Sequence, residues 1–393
     1  MRFVFWQNML SIHQSALSRS LQEMDHDVSV VAEQELSHER RVLGWHMPEL
    51  GAVKVLVAPD GRTINSLARL NPDHSLHLIT GTRGWKLGPR AYQACRLARA
   101  HIALIQEGAD PRGIPGMQRR VLYAFMRATM SHHVDFLLAM GDNGVRWYRR
   151  CGWPQRKVFP YAYFMERLSI SRGEKRRENG TVFELIYVGQ LIHQKGVDLL
   201  LRALGELHGL SWALTVVGGG PMEGAYIDLA QRLGVHSRVR FLGALPNLEV
   251  MELISASDLL VLPSRFDGWG AVANEALMRG TPVIISSVCG ASSLLAEPWR
   301  GTTFPSDDLE GLTKQLSNWV ERGKTTELLA ERIRNWSECI TGRAGASYLL
   351  RIIDHVYSNA ERPLPPWESR GNYDNQITSR ATAITSPGLP RVS

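Results

Sequence analysis

Between Phe183 and Ser286 short apolar runs alternate with segments of helical periodicity, and few folds accommodate that pattern. Strands are expected at Phe183–Val188, Trp212–Val217, Val239–Leu242, Asp258–Leu262 and Val283–Ser286. Helices are expected at Val197–Leu207, around Gly224–Leu233 and at Leu248–Ser255. Strand–helix–strand repeats of this kind close by right-handed crossovers into a parallel sheet covered on both faces. Ligands of such sheets bind at the carboxyl ends of the strands, so the loops after strands are where function is sought. The first half repeats the pattern less sharply, with strand candidates Arg2–Trp6, Val28–Ala32, Val53–Val57, Leu76–Thr80, Ile102–Gln106 and Phe136–Ala139. A chain of 393 residues suits two domains. The expected class is therefore α/β, with two Rossmann-like, doubly wound domains facing a cleft. The boundaries read as residues 1–165, a charged linker at 166–180, a second domain at 181–343, a helix at about 344–362 that packs back on the first domain, and a disordered tail at 363–393.

Charge is distributed unevenly. From Arg83 to Lys157 there are 14 Lys/Arg against 4 Asp/Glu, while the rest of the chain has 31 against 34. That basic segment points to an anionic partner, or else to a solvated face. No zinc-finger, RNP or helix-turn-helix signature accompanies it, which argues against nucleic acid. No apolar run reaches the roughly 18 residues of a membrane span. Met1–Trp6 reads as a first strand, too soon polar at Gln7-Asn8 for a secretory signal. Cys95, Cys151, Cys289 and Cys339 are isolated, so neither disulfides nor a structural metal are expected, and a reduced, cytoplasmic setting is.

The run Pro263-Ser264-Arg265-Phe266-Asp267-Gly268-Trp269-Gly270, with Glu275 eight residues beyond Asp267, follows one strand and opens a helix. Backbone N–H groups at such a helix start seat an anion. Carboxylates accept hydrogen bonds from hydroxyls and repel phosphate. The ligand implied has both parts: phosphates, and sugar or ribose hydroxyls. Lys195 ends the loop Gly189–Gly196 just before another helix, where its ammonium can meet a diphosphate. Gly218-Gly219-Gly220-Pro221 again stands between strand and helix, serving either a ligand's close approach or only a tight turn. It does not complete GxGxxG, which disfavours a dinucleotide dehydrogenase.

Taken in order, Gly189 through Lys195-Gly196, Val217-Gly218-Gly219-Gly220-Pro221, Phe241-Leu242-Gly243 and the Asp267–Glu275 run resemble the family 4 glycosyltransferases, or glycosyl transferases group 1, of GT-B fold. The resemblance is strong over about 183–300 and covers the first domain in outline. It implies transfer of a sugar from a nucleotide-diphosphate sugar to an acceptor hydroxyl with retention of configuration, in bacterial polysaccharide or glycolipid assembly, with neither metal nor other cofactor. Residue by residue, it assigns Asp267 to the transferred sugar, helped by the backbone N–H groups of Gly268, Trp269 and Gly270. Glu275 falls to the ribose, Lys195 to the diphosphate, Gly189, Gln190, Gly218 and Gly219 to the donor, and the Gly243 region to the base.

The chain departs from the family at several points. Gln190 stands where the family commonly has Arg, so one phosphate-binding charge is missing unless Arg265 or another basic residue substitutes. Asp267 replaces a Glu, shortening the side chain by one methylene and bearing on donor choice. The family's first-domain His falls near Ile79, and the nearby His77 reads as core. Two other acid–base candidates are His13, after the first strand, and Glu107, after Ile102–Gln106; the alternatives are a capping histidine and a turn-stabilising acid. A helix expected at Gly116–His132 carries Arg119, Arg120 and Arg127 among apolar residues. It fits an anionic membrane surface at the inner face of the plasma membrane, or an ordinary sheet-covering helix. Two rival readings remain at this stage: a GT-B epimerase acting on nucleotide sugars, and a non-catalytic subunit that binds them.

Overall fold

In a computed structural model, residues 1–36, 47–167 and 181–368 are described, and the chain divides into two compact units. In the first, strands β1 (Arg2–Met9), β2 (Asp27–Gln34), β3 (Lys54–Val57), β4 (Ser75–Thr80), β5 (His101–Gln106), β6 (Phe136–Met140) and β7 (Val158–Tyr161) form one parallel sheet in the order β3-β2-β1-β4-β5-β6-β7. The crossovers carry α1 (Ile12–Glu23), α2 (Gly61–Arg69), α3 (Leu87–Ala98), α4 (Gly113–Met130) and α5 (Gly141–Arg150). Central strands are apolar on both faces because helices cover both: Phe3, Val4, Phe5 and Trp6 of β1 are all fully buried.

The second unit is built the same way. Strands β8 (Phe183–Val188), β9 (Trp212–Val217), β10 (Val239–Phe241), β11 (Leu259–Leu262), β12 (Val283–Ser286) and β13 (Gly301–Phe304) pair in parallel in the order β10-β9-β8-β11-β12-β13. Helices α6 (Val197–Gly205), α7 (Glu223–Arg232), α8 (Asn247–Ala256), α9 (Val272–Met278), α10 (Leu309–Glu321) and α11 (Glu327–Trp336) flank it. The chain returns to the first unit at Cys339, and α12 (Gly342–Ser358) packs on α1. Gly342 permits this: a Cβ there would stand 2.3 Å from the Ala16 carbonyl oxygen.

Two strands, β7 and β13, escape the sequence pattern. Both are sheet edges; β7 contains Pro160, which an edge tolerates, and β13 is Gly-Thr-Thr-Phe. The second unit ends at Glu338, a few residues before the expected 343. Residues 168–180 of the expected linker and 369–393 of the expected tail lie outside the described residues. Residues 363–368 do not fit a disordered tail, because Pro366 and Trp367 are buried, with the Trp367 ring against Phe164 and Tyr348.

Helix α4 departs from ordinary sheet-covering behaviour. Only Gly116 and Met130 are buried along its length. Ile114, Met117, Val121 and Phe125, spaced at three or four residues, are 69%, 63%, 68% and 68% exposed. No helix among the described residues is long and apolar enough to cross a membrane.

Candidate active site

Each sheet reverses its strand order once, between β1 and β4 in the first unit and between β8 and β11 in the second. Crossovers leave such a point in opposite directions and open a crevice at the carboxyl ends of the two strands. In the second unit the loop after β8 carries Lys195 and the loop after β11 carries Asp267, one on each side of the reversal.

The Lys195 loop ends in a 3₁₀ turn, His193–Lys195, closed by Gly196 at φ +71°. A Cβ at position 196 would fall 2.1 Å from the Pro263 carbonyl oxygen, so only glycine lets the two loops meet. They meet through side chains: Lys195 Nζ lies 2.5 Å from Asp267 Oδ2, the two side chains 23% and 18% exposed. A largely buried ion pair with both partners still reached by solvent at a crevice can present an ammonium and a carboxylate to one ligand. Directly behind Lys195, α6 begins without a side-chain cap, its first-turn N–H groups adding positive potential.

The loops after β9 and β10 join this edge through the backbone. The N–H groups of Gly189, Leu191 and Gly218 donate to the carbonyls of Val217 (2.9 Å), Gly219 (3.0 Å) and Gly243 (2.7 Å). Gly218 is held at φ +125°, and a Cβ on it would come within 2.0 Å of the Gly189 carbonyl oxygen. Gly219 and Gly243, by contrast, have nothing within 4 Å of where a Cβ would stand, leaving open surface at both.

Glu275 sits half-buried in the first turn of α9. The Gly268–Gly270 loop before it is pinned by Trp269, whose indole is 1% exposed and donates to Asn274 Oδ1 at 2.8 Å. The Trp269 N–H turns back to Asp267 Oδ1 at 3.4 Å, and Gly290 N–H donates to the Asp267 carbonyl at 3.3 Å. Trp269 therefore shapes the loop, its ring directed into the core. Asn274 was missed from sequence although it lies inside the motif, because an amide in a short helix carries no pattern of its own.

Gln190 is exposed, and its carbonyl accepts from Tyr187 Oη at 2.9 Å. Arg265 does not replace the missing charge at that position. Its guanidinium forks onto Asp198 at 2.8 and 2.7 Å and reaches Asp307 at 2.7 Å, with a further bond to the His193 carbonyl. Although burial opposes it, Arg265 holds the Asp198 carboxyl below its ordinary value. This arginine braces the Lys195 turn from behind.

In the first unit His13 and Glu107, nominated separately, belong to one cluster. His13 is 9% exposed in α1, and its ring stacks on Tyr163 with centroids 5.3 Å apart and planes at 27°. Tyr163 Oη donates to Glu107 Oε1 at 2.7 Å, while Tyr148 Oη donates to the Glu107 carbonyl at 3.1 Å. Thr80 at the end of β4 donates to Gln14 beside His13 at 3.2 Å. All follow carboxyl ends of strands. Tyr163 went unnoticed in the sequence because β7, which delivers it, did. His77 is core: it is 0% exposed, accepts from Trp6 Nε1 at 3.1 Å, and burial, reinforced by Arg2 and His101, lowers its pKa to about 3.

Two parallel doubly wound sheets, each with one reversal point, define an α/β protein of GT-B fold. Residues 172–336 match the family model described as glycosyl transferases group 1. An uncharacterised glycosyltransferase of Methanocaldococcus jannaschii is 34% identical over 34% of this chain and 36% of its own length. A D-inositol 3-phosphate glycosyltransferase of Saccharomonospora viridis is 27% identical over 71% of this chain and 68% of its own. The chain thus spans about a third of the length of the first curated relatives it matches. Among solved structures, Anabaena HepE in complex with UDP superposes with a TM-score of 0.67 at 15% identity, covering 90% of this chain and all of HepE.

Proposed function

We propose that this chain transfers a sugar from a nucleotide-diphosphate sugar to an acceptor hydroxyl with retention of configuration, in polysaccharide or glycolipid assembly on the cytoplasmic side of the membrane. The observation that carries the proposal is the Lys195–Asp267 pair at the reversal point of the second sheet, flanked by the open glycines 219 and 243. The UDP bound by HepE and the names of the curated relatives support the donor and reaction classes.

In this reading Lys195 and the start of α6 meet the diphosphate, Glu275 holds the ribose, and Asp267 receives a sugar hydroxyl while orienting the Lys195 ammonium. The bond from the anomeric carbon to the diphosphate oxygen breaks, and the acceptor oxygen bonds to that carbon on the same face. The acceptor proton passes to the departing phosphate oxygen. The chain supplies position and charge to this step. Its proposal includes no metal or other cofactor. The first unit offers the His13–Tyr163–Glu107 cluster to the acceptor. Its helix α4, with Arg119, Arg120 and Arg127 beside exposed Met117, Val121 and Phe125, lies on an anionic membrane surface.

A thermal-shift panel of UDP-, GDP- and ADP-sugars tests the donor assignment. A true donor at about 100 times its dissociation constant adds ~2.7 kcal/mol of stability. No shift with any nucleotide sugar rejects the reading. Epimerised donor formed without acceptor assigns an isomerase instead, and binding without hydrolysis or transfer assigns a non-catalytic subunit.

A further inference from the structure

The chain leaves α12 at Asn359 and runs back along β7, the edge strand of the first sheet. Arg362 anchors this strap at the start of the strand. It donates to the Arg156 and Val158 carbonyls, with its guanidinium 4.0 Å from the Phe159 ring centroid. Further on, past the end of the strand, Pro366 and Trp367 are buried, and the Glu368 N–H closes the turn onto the Pro365 carbonyl at 3.0 Å. The Trp367 ring, 4% exposed, lies 6.3 Å from Phe164 and 6.4 Å from Tyr348 between centroids. Its indole Nε1 has no hydrogen-bond partner among the described residues, so packing holds the ring.

What Trp367 packs on is the immediate neighbour of Tyr163. Strand pairing stops at Tyr161 and resumes only at Met165, whose N–H donates to the Ile340 carbonyl and whose carbonyl accepts from the Gly342 N–H, both at 3.0 Å. No pairing reaches Tyr163 or Phe164 in between. Successive residues of extended chain point to opposite sides, so Tyr163 meets His13 while Phe164 turns toward α12. There a Cβ at Gly345 would stand 2.3 Å from the Phe164 ring, and Trp367 meets the same ring. A shift of Phe164 therefore carries Tyr163 with it. We propose that Trp367 is a positioning residue of the acceptor edge: by holding Phe164 it sets the Tyr163 ring on His13 and the Tyr163 hydroxyl on Glu107. The proposal rests on the reading of that cluster as the acceptor's, and adds to it a strap that follows the last long helix.

The test is NMR of the full chain with isotope-labelled histidine rings, the His13 signal assigned by its loss in His13→Gln. A ring stacked on His13 displaces its carbon-bound proton signals, and Tyr163→Ala measures that displacement. Trp367→Ala should reproduce most of it, and Trp367→Phe, which keeps a ring against Phe164, should restore most of the native signal. Tyr357→Phe removes the bond to Asp135 at the amino edge of the sheet, controls for general loss of stability, and should leave His13 unmoved. If Trp367→Ala shows no cooperative melt, Trp367→Leu takes its place. A His13 signal unmoved by the Trp367 change, or moved equally by Tyr357→Phe, overturns the proposal. Methyl glucoside, methyl galactoside and methyl mannoside titrated into the same chain read the acceptor assignment separately. A saturable His13 response that weakens about fivefold in Trp367→Ala, the cost of re-ordering one side chain on binding, supports the role of Trp367. No His13 response to any of the three takes the acceptor away from the cluster and overturns that role, even where Trp367 still moves Tyr163.

Discussion

The two sheets reverse strand order in the same way, yet their carboxyl edges are made of different material. The second unit's edge is backbone: loops after β8, β9 and β10 are joined by N–H to carbonyl bonds at Gly189, Gly218 and Gly243, and the close approach of Gly218 to Gly189 requires glycine. The first unit's edge is side chain: His13, Gln14, Thr80, Glu107 and Tyr163 come from four separate segments, with His13 on Tyr163, Tyr163 on Glu107 and Thr80 on Gln14. Backbone recognition suits a ligand common to many enzymes, such as a nucleotide diphosphate. Side-chain recognition changes with each substitution and suits the partner that distinguishes one enzyme from the next.

The largest expected effects test the backbone edge. Lys195→Ala and Glu275→Ala should each lower the transfer rate on the order of 10²-fold or more, the scale of losing one donor to developing charge. Near-normal turnover in both, measured at saturating donor, would remove the donor site from this edge. Gly218→Ala should destabilise the second unit by about 3 kcal/mol, because the new methyl meets a carbonyl oxygen and the backbone leaves its permitted region. Urea unfolding measures this; a loss below about 1 kcal/mol would mean that the loops separate easily.

That contrast also explains what was legible. Glycines compelled by a positive φ or a close approach keep a fixed order along the chain, so Gly189–Gly196, Gly218–Gly220 and the Asp267–Glu275 run could be read as one motif. The strand periodicity was visible for the same reason, since doubly covered strands must be apolar throughout. The Lys195–Asp267 pairing was not visible, being 72 residues long-range. Arg265 looked available to a phosphate, and only the fold reveals Asp198 and Asp307 around it. Tyr163 depended on an edge strand that Pro160 disguised, and the exposed apolar stripe of α4 had the same spacing as a buried one.

Tyr163 supplies a finer test of the side-chain edge. Tyr163→Phe keeps the ring on His13 and removes the hydroxyl from Glu107. With a hydrogen bond to a carboxylate worth about 1.5 kcal/mol, the expected result is a roughly tenfold fall in kcat/KM for the acceptor at unchanged donor affinity. Tyr163→Ala, which also unstacks His13, should fall further. A loss confined to donor affinity would mean that the first unit's edge does not serve the acceptor.

The smallest effect separates the two units by acid. The His77 ring is neutral and enclosed in β4, whereas β11, which occupies the equivalent place beside the reversal in the second unit, is Leu-Leu-Val-Leu. Burial, with Arg2 and His101 adding to it, lowers the His77 pKa to about 3 from 6.5. The unfolded chain therefore takes up a proton as pH falls through 6.5 and the folded chain does not, so stability present above that value drains away on acidification. From pH 6 to 5 the loss from this one group is about 1 kcal/mol. His77→Asn retains an acceptor for Trp6 and should show a shallower fall over that interval, whatever its stability at pH 7. Urea midpoints at the two pH values for both proteins measure the difference in slope. Parallel slopes would mean that the ring gains a proton while folded, and the sheet interior around β4 would then admit water where β11 does not.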